Sequence, residues 1–226
     1  MKNKILIVAA HPDDEVLGCF GTAARLIQEG SEVYTLVLGE GKTSRKDQRQ
    51  LAKHEKDFAI LEQECIKANE LIGVKELFRT KFADNRFDSI NLLDIIKEVE
   101  KIKNKIKPNI IFTHYEKDLN IDHQLCFKAV LTASRSLIGE CVKEIYSFEV
   151  LSSTEFNYPL SFSPNVYFDI SQTLELKLEA MNIYKSELCD FPHQRSLENI
   201  KHNAKYHGIR MGVKYAEAFI AIRILK

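Results

Sequence analysis

Ile5-Leu6-Ile7-Val8-Ala9-Ala10 runs without a break into His11-Pro12-Asp13-Asp14-Glu15, and this junction decides how the rest of the chain reads. Six apolar residues in a row suit a short strand buried on both faces, as in the middle of a parallel sheet. The strand then ends in a charged loop. Val16 to Gln28 follows with apolar side chains at helical spacing (Leu17, Phe20, Ala24, Ile27), and Gly30 supplies a helix stop. A strand at 32–38, a long polar helix at 46–72 and a weaker strand at 77–82 continue the alternation.

The same rhythm holds further on. Between Ile90 and Ile106 the residues Leu92, Ile95, Ile96, Val99, Ile102 and Ile106 share one helical face, while lysines interleaved with glutamates form a solvated outer face. Pro108 ends that helix, and residues 109–113 form a second buried strand leading straight into His114. Further strands are expected at 144–150, 165–170 and 219–225, with residues 152–164 as a loop carrying two prolines. Strand and helix in turn predict an α/β fold: a Rossmann-like, mostly parallel sheet with helices on both faces, in a single domain over residues 1–226.

Bulk properties narrow the function. Lys plus Arg and Asp plus Glu both number 32, so the formal net charge is zero. A nucleic-acid partner is disfavoured, because phosphate binding leaves a basic surplus. No apolar run approaches the roughly 18 residues of a membrane helix. The opening apolar run stops short of the about 7 to 15 residues of a secretory core. Five widely spaced cysteines, with no CxxC pair, read as reduced thiols in a cytoplasmic protein. The first strand is not followed by GxGxxG, which disfavours a nucleotide-binding dehydrogenase.

Two polar clusters lie at strand ends, where open α/β sheets collect ligands. One is residues 11–15, the other runs from His114 through Asp118, Asn120 and Asp122 to His123. A histidine and a carboxylate from the first, with a histidine from the second, would make a three-ligand nitrogen and oxygen site. Zinc so held keeps a position for water, the mark of a catalytic site. Two adjacent carboxylates permit one to bind metal and the other to accept the proton of attacking water. The plain alternative for the first cluster is a turn and helix start, with Pro12 near the first helical position and acids at the positive end of the helix dipole.

A strand running into Ala10-His11-Pro12-Asp13-Asp14-Glu15, followed by residues 16–22 (VLGCFGT) and a later Asp122-His123 pair, resembles the LmbE-like (PIG-L) zinc-dependent N-deacetylase family. Residues 119–123 (LNIDH), 191–196 (FPHQRS) and 216–219 (AEAF) extend the resemblance over nearly the whole chain. It implies that His11, Asp14 and His123 bind zinc, that the ligand set suits iron(II) as well, and that Asp13 is the general base. Glu15 then supports the loop or caps the helix, and His114 stands close to the metal without binding it. The implied reaction is hydrolysis of the N-acetyl group of an N-acetylglucosamine-like amino sugar, linked to a nucleotide, a lipid or a small aglycone.

Many relatives have HPDH where this chain has Asn120-Ile121-Asp122-His123, so the oxyanion partner is Asn120 or a histidine, and Asn120 can donate a hydrogen bond but carries no proton-linked charge. Candidate substrate contacts are Arg45 after the second strand, Asp84 and Arg86 after the third, and His193 and Arg195 beside Phe191-Pro192. Glu149 and Glu155 are weaker candidates, His54 and His202 read as exposed, and His207 reads as a helix end. The competing functions are a phosphodiesterase-like metal hydrolase and a non-catalytic sugar-binding module. The sequence is silent on oligomeric state.

Overall fold

The computed structural model describes residues 2–42 and 55–226. The first strand, β1 (Lys4–Ala9), forms as its apolar run demands, with every residue from Ile5 to Ala9 fully buried. Its alternation divides the core. Ile5, Ile7 and Ala9 join the apolar cluster beneath α1 (Asp14–Gln28), and Leu6, Val8 and Ala10 join the cluster on the opposite face.

Two strands flank β1 in parallel, β2 (Glu32–Gly39) on one side and β4 (Ile110–His114) on the other. Beyond β2 lies β3 (Glu76–Phe82), and beyond β4 lies β5 (Glu144–Phe148), both again parallel. The far edge is built by β6 (Val166–Asp169) and β7 (Ala216–Ile224), giving the order β3-β2-β1-β4-β5-β7-β6. The mostly parallel sheet is as expected, but β7 runs against both of its neighbours. Two helices separate β6 from β7 where a parallel crossover uses one.

On the β1 face that carries Ile5, α2 (Glu55–Ile72) and α5 (Leu174–Ile183) pack with α1, and α6 (Leu197–Met211) packs on β7. The opposite face is covered by α3 (Leu92–Ile106) and α4 (Ile121–Ala133). In α3 the predicted stripe buries Ile95, Ile96, Val99, Ile102 and Ile106. Each such side chain stabilises the fold by roughly 1.5–3 kcal/mol. The helix begins at Leu92 and not at Ile90, because a 3-10 turn at Phe87–Ser89 precedes it.

Three helices were not legible beforehand as units. The second polar cluster overlaps the start of α4, which Asn120 caps, so that Asp122 and His123 stand in its first turn. His207, expected at a helix end, is instead buried within α6, which ends at Met211 and is capped by Gly212 in the left-handed region (φ 74). The first part of the long helix expected at 46–72 lies outside the described residues, as does His54. Among the described residues no helix is long and apolar enough to cross a membrane.

The strand order jumps at β1. The chain leaves it toward β2, and later returns on its other side as β4. Such a switch point opens a crevice at the carboxyl ends of the two strands. The loops carrying the two polar clusters both emerge there.

Candidate metal centre

Asp13 precedes α1 in the left-handed region (φ 95), a conformation uncommon outside glycine that aspartate tolerates better than most residues. The turn is held from below. Glu15, fully buried, accepts the Asp13 backbone N–H at 3.1 Å through Oε2. Its Oε1 accepts Tyr184 Oη–H at 2.6 Å and Asn69 Nδ2–H at 3.2 Å, tying the turn to the C-cap of α5 and to α2. Burial raises the Glu15 carboxyl to about 7, against the pull of these donors.

The end of β1, this turn and the first turn of α4 bring together His11, Asp14 and His123. Asp14 Oδ2 lies 3.3 Å from His11 Nδ1 and 3.3 Å from His123 Nε2, and the donors of all three residues fall within 4.8 Å of one another. The fit of a divalent cation can be read from that spacing. Zinc bonds of about 2.0–2.1 Å in a tetrahedral arrangement separate neighbouring donors by about 3.3–3.4 Å.

The outer nitrogens are backed by carboxylates. His11 Nε2 is 2.9 Å from Asp122 Oδ2, and His123 Nδ1 is 3.1 Å from Asp118 Oδ1. Carboxylate behind histidine fixes the ring and its tautomer and raises its basicity as a ligand. His11, Asp84 and Asp122 form a second group with close donors, but Asp122 does not line the cavity and its Oδ1 accepts the Phe87 N–H at 2.9 Å.

Charge in the site agrees with a cation site. Burial disfavours a charged His11, yet Asp122, Asp14 and Asp84 hold its pKa well above the usual value. His123 is raised to about 9: burial opposes its charge, and Asp14 and Asp118 prevail. Asp14 is held well below the usual carboxylate range because the histidines outweigh its burial. Asp13 is pushed well above it by burial, then by Asp14 and Glu187, with Arg195 acting the other way. The carboxylates draw positive charge onto the rings, as a bound cation would satisfy them.

His114 is excluded from the donor set. Its Nε2 accepts the Ala10 N–H at 2.8 Å, and its ring stacks on that of His123 with centroids 4.0 Å apart. Burial and the charge of His123 keep it neutral, with a pKa well below the usual value.

The donors open on a cavity of about 170 Å3, also lined by Asp13, Asp84, Asn85, Asn120, Ser152, Ser153, Glu187 and Arg195. Asp84 stands on its wall with Oδ1 3.3 Å from His11 Nε2. Asn120 uses its Oδ1 to cap α4 through the Asp122 N–H at 2.8 Å, and its Nδ2 donates to Asn85 Oδ1 at 2.9 Å. Arg195 Nη1 contacts Asp13 Oδ2 at 3.2 Å and Glu187 Oε2 at 3.0 Å. Arg86 is exposed and outside the cavity lining, while half-buried His193 accepts the Arg195 backbone N–H at 3.1 Å through Nδ1. Arg45 lies outside the described residues. Glu155 accepts the backbone N–H groups of Ser152 and Ser153, and Glu149 pairs with His207 at 3.0 Å, so neither lines the cavity.

Several partners were missed by sequence reading. Asp118 and Asp122 stood in the quoted cluster without a role, although their offsets of five and one from His123 were visible. Nothing local distinguished Glu187 or Lys42, whose parts depend on loops distant in sequence.

Comparison with known proteins places the chain among deacetylases. The chain is 27% identical over 221 residues to the diacetylchitobiose deacetylase of Thermococcus kodakarensis, covering 95% of this chain and 81% of that protein. It is 26% identical over 189 residues to a probable N-acetyl-alpha-D-glucosaminyl L-malate deacetylase 2 of Bacillus cereus, covering 83% of this chain and 84% of that one. Relatives are thus deacetylases named for N-acetylated sugars, which supports an amide-hydrolysing enzyme. The crystal structure of the 4-carboxy-2-hydroxymuconate hydratase of Pseudomonas putida KT2440 superposes with a TM-score of 0.77 at 20% identity, covering 100% of this chain and 99% of that one. That likeness concerns the fold alone, and it shows the fold serving a different reaction. The family profile described as PIG-L: GlcNAc-PI de-N-acetylase matches residues 6–134, more than half of the 226 residues, a span that includes His11, Asp14 and His123. The chain belongs to the PIG-L family.

Proposed function

We propose that this protein is a zinc-dependent N-deacetylase that hydrolyses the acetamide of an N-acetylglucosamine-like amino sugar, releasing acetate and a free amine. The observation that carries this reading is the convergence of His11, Asp14 and His123 at one cavity, with the Asp13 carboxylate on the same wall. The names of the relatives support the sugar. The donor set also suits iron(II). The free cysteines fit a cytoplasmic setting.

A divalent cation bound there supplies Lewis acidity at the amide carbonyl and makes nearby water more acidic. Asp13 accepts a proton from the water as its oxygen bonds to the carbonyl carbon, and burial and the neighbouring carboxylates raise its affinity for that proton. The Asn120 amide has a second hydrogen beyond the one given to Asn85, which suits it to receive the developing negative oxygen. The C–N bond then breaks, and the proton taken by Asp13 passes to the departing amine. Asp84, on the cavity wall, suits a sugar hydroxyl. The aglycone is a nucleotide, a lipid or a small group.

A phosphodiesterase-like reaction calls for a second metal. The other histidine and carboxylate group shares His11 with the first, and its Asp122 is away from the cavity.

Acetate release from a panel of N-acetylated sugars tests the proposal. Activity should vanish with a chelator and return with zinc. Asp13→Ala should lose about 10²–10⁴-fold in turnover while retaining zinc. Chelator-insensitive turnover, or no acetate from any sugar, would overturn the reading. Full activity in the Asp13 variant would remove that residue from its role.

A further inference from the structure

We infer that Arg195, braced by Glu187 and Lys42, is a positioning residue that pins one oxygen of Asp13 and leaves the other to face the reacting water. This rests on the deacetylase reading above and deepens it.

Asp13 occupies the N-cap of α1 but makes no side-chain cap bond. The N-caps Asn120 and Ser196 do make one. The Asp13 carboxylate is therefore released from the helix end, and local backbone does not set its direction. Its side-chain hydrogen bond comes from a segment 182 residues away, from Arg195 Nη1 to Oδ2 at 3.2 Å. The same nitrogen is shared with Glu187 Oε2 at 3.0 Å. Planar guanidinium held between two carboxylates has a defined direction, unlike a flexible ammonium.

Glu187 is itself braced. Its Oε1 accepts Lys42 Nζ–H at 2.6 Å, and the same ammonium donates to Ser186 Oγ at 2.9 Å. Ser186 in turn donates to Glu64 of α2 at 2.6 Å. The Arg195 backbone is fixed by the His193 ring. Two loops, the one after β2 and the one that joins α5 to α6, thus meet at Glu187, and from there Arg195 reaches Asp13. The participating side chains of Asp13, Glu187, Lys42 and Arg195 are 7%, 4%, 13% and 18% exposed, so these contacts are shielded from water. A carboxylate with Oδ2 pinned presents Oδ1 in a constant direction, and misplacing a catalytic group by about 1 Å costs about 100-fold.

The test uses the zinc-loaded full chain and the variants Arg195→Met, Arg195→Lys and Glu187→Gln. Arg195→Met should lower kcat about 100-fold, with KM for the acetylated sugar within about twofold of the parent. Zinc content should be unchanged. Arg195→Lys should recover part of kcat, and Glu187→Gln should lower kcat with Arg195 still present. Crystal structures of parent and Arg195→Met at equal zinc loading supply a readout that needs no turnover: the Asp13 carboxylate should leave its position in the variant. A raised KM with unchanged kcat would make Arg195 a substrate contact and overturn the inference. So would an Asp13 carboxylate that stays in place. If Arg195→Met fails to fold, Arg195→Lys and Glu187→Gln carry the same two readouts. If the parent deacetylates no sugar, the functional proposal falls, while the position of Asp13 still decides this one.

Discussion

The two histidines that face Asp14 are not equivalent in how they are held. His11 comes from the loop that ends β1 and leans on Asp122. His123, in the first turn of α4, leans on Asp118, which is itself clamped by Ser153, by Thr154 and by the Asn120 backbone N–H. His123 and its hydroxyl partners keep the Asp118 carboxyl below the usual range in spite of burial. Asp118→Asn should therefore weaken zinc binding about 10–100-fold without unfolding the protein. Competition against a chromophoric chelator measures this, and unchanged zinc affinity would show that Asp118 merely fills space.

Among the elements, α1 matters most to the site because it starts at Asp14 and lies close over β5. Gly18 permits that approach: a Cβ there would stand 2.4 Å from Cδ2 of the fully buried Phe148 ring. Phe148 meets the His114 ring edge-on at 4.9 Å, and His114 stacks on His123. Gly18→Ala gains about 1 kcal/mol of helix propensity but forces a buried ring to move at about 2 kcal/mol, so the net change should be a loss of about 1 kcal/mol. Because the displaced ring leads to His123, zinc affinity should fall as well. Urea unfolding of the metal-free protein and a zinc titration check the two halves separately; an unaltered unfolding midpoint would contradict the tight approach. The α3 stripe illustrates the opposite case, an element whose burial was readable in advance and which contributes no residue to the cavity lining.

At the scale of the whole molecule, the metal should act as a fold stabiliser. Its donors come from the β1 end and from α4, segments more than 100 residues apart that meet only in the folded chain. Free zinc at 100 times its Kd should add about 2.7 kcal/mol, or roughly 6–10 °C in melting temperature for a chain of this size. Thermal unfolding with and without chelator measures the shift, and His123→Ala should abolish it. An equal shift in that variant would place the stabilising metal elsewhere.

Local sequence determined a good part of this protein. The apolar run of β1, the amphipathic face of α3 and the parallel core of the sheet follow from periodicities of two and 3.6, which each stretch carries by itself. The residue types that could form a metal site were also legible, because two clusters of histidines and carboxylates follow two buried strands. Tertiary structure decided what local pattern cannot carry. It reversed β7, made the second polar cluster the capped start of α4, and buried His207 inside α6. It set Asp118 and Asp122 behind the two histidines and joined Arg195 and Glu187 to Asp13. Each of these depends on which distant segments the strand order makes neighbours. Ion pairs and hydrogen bonds act over a few ångströms, and only the folded chain brings Asp13 and Arg195 within that range.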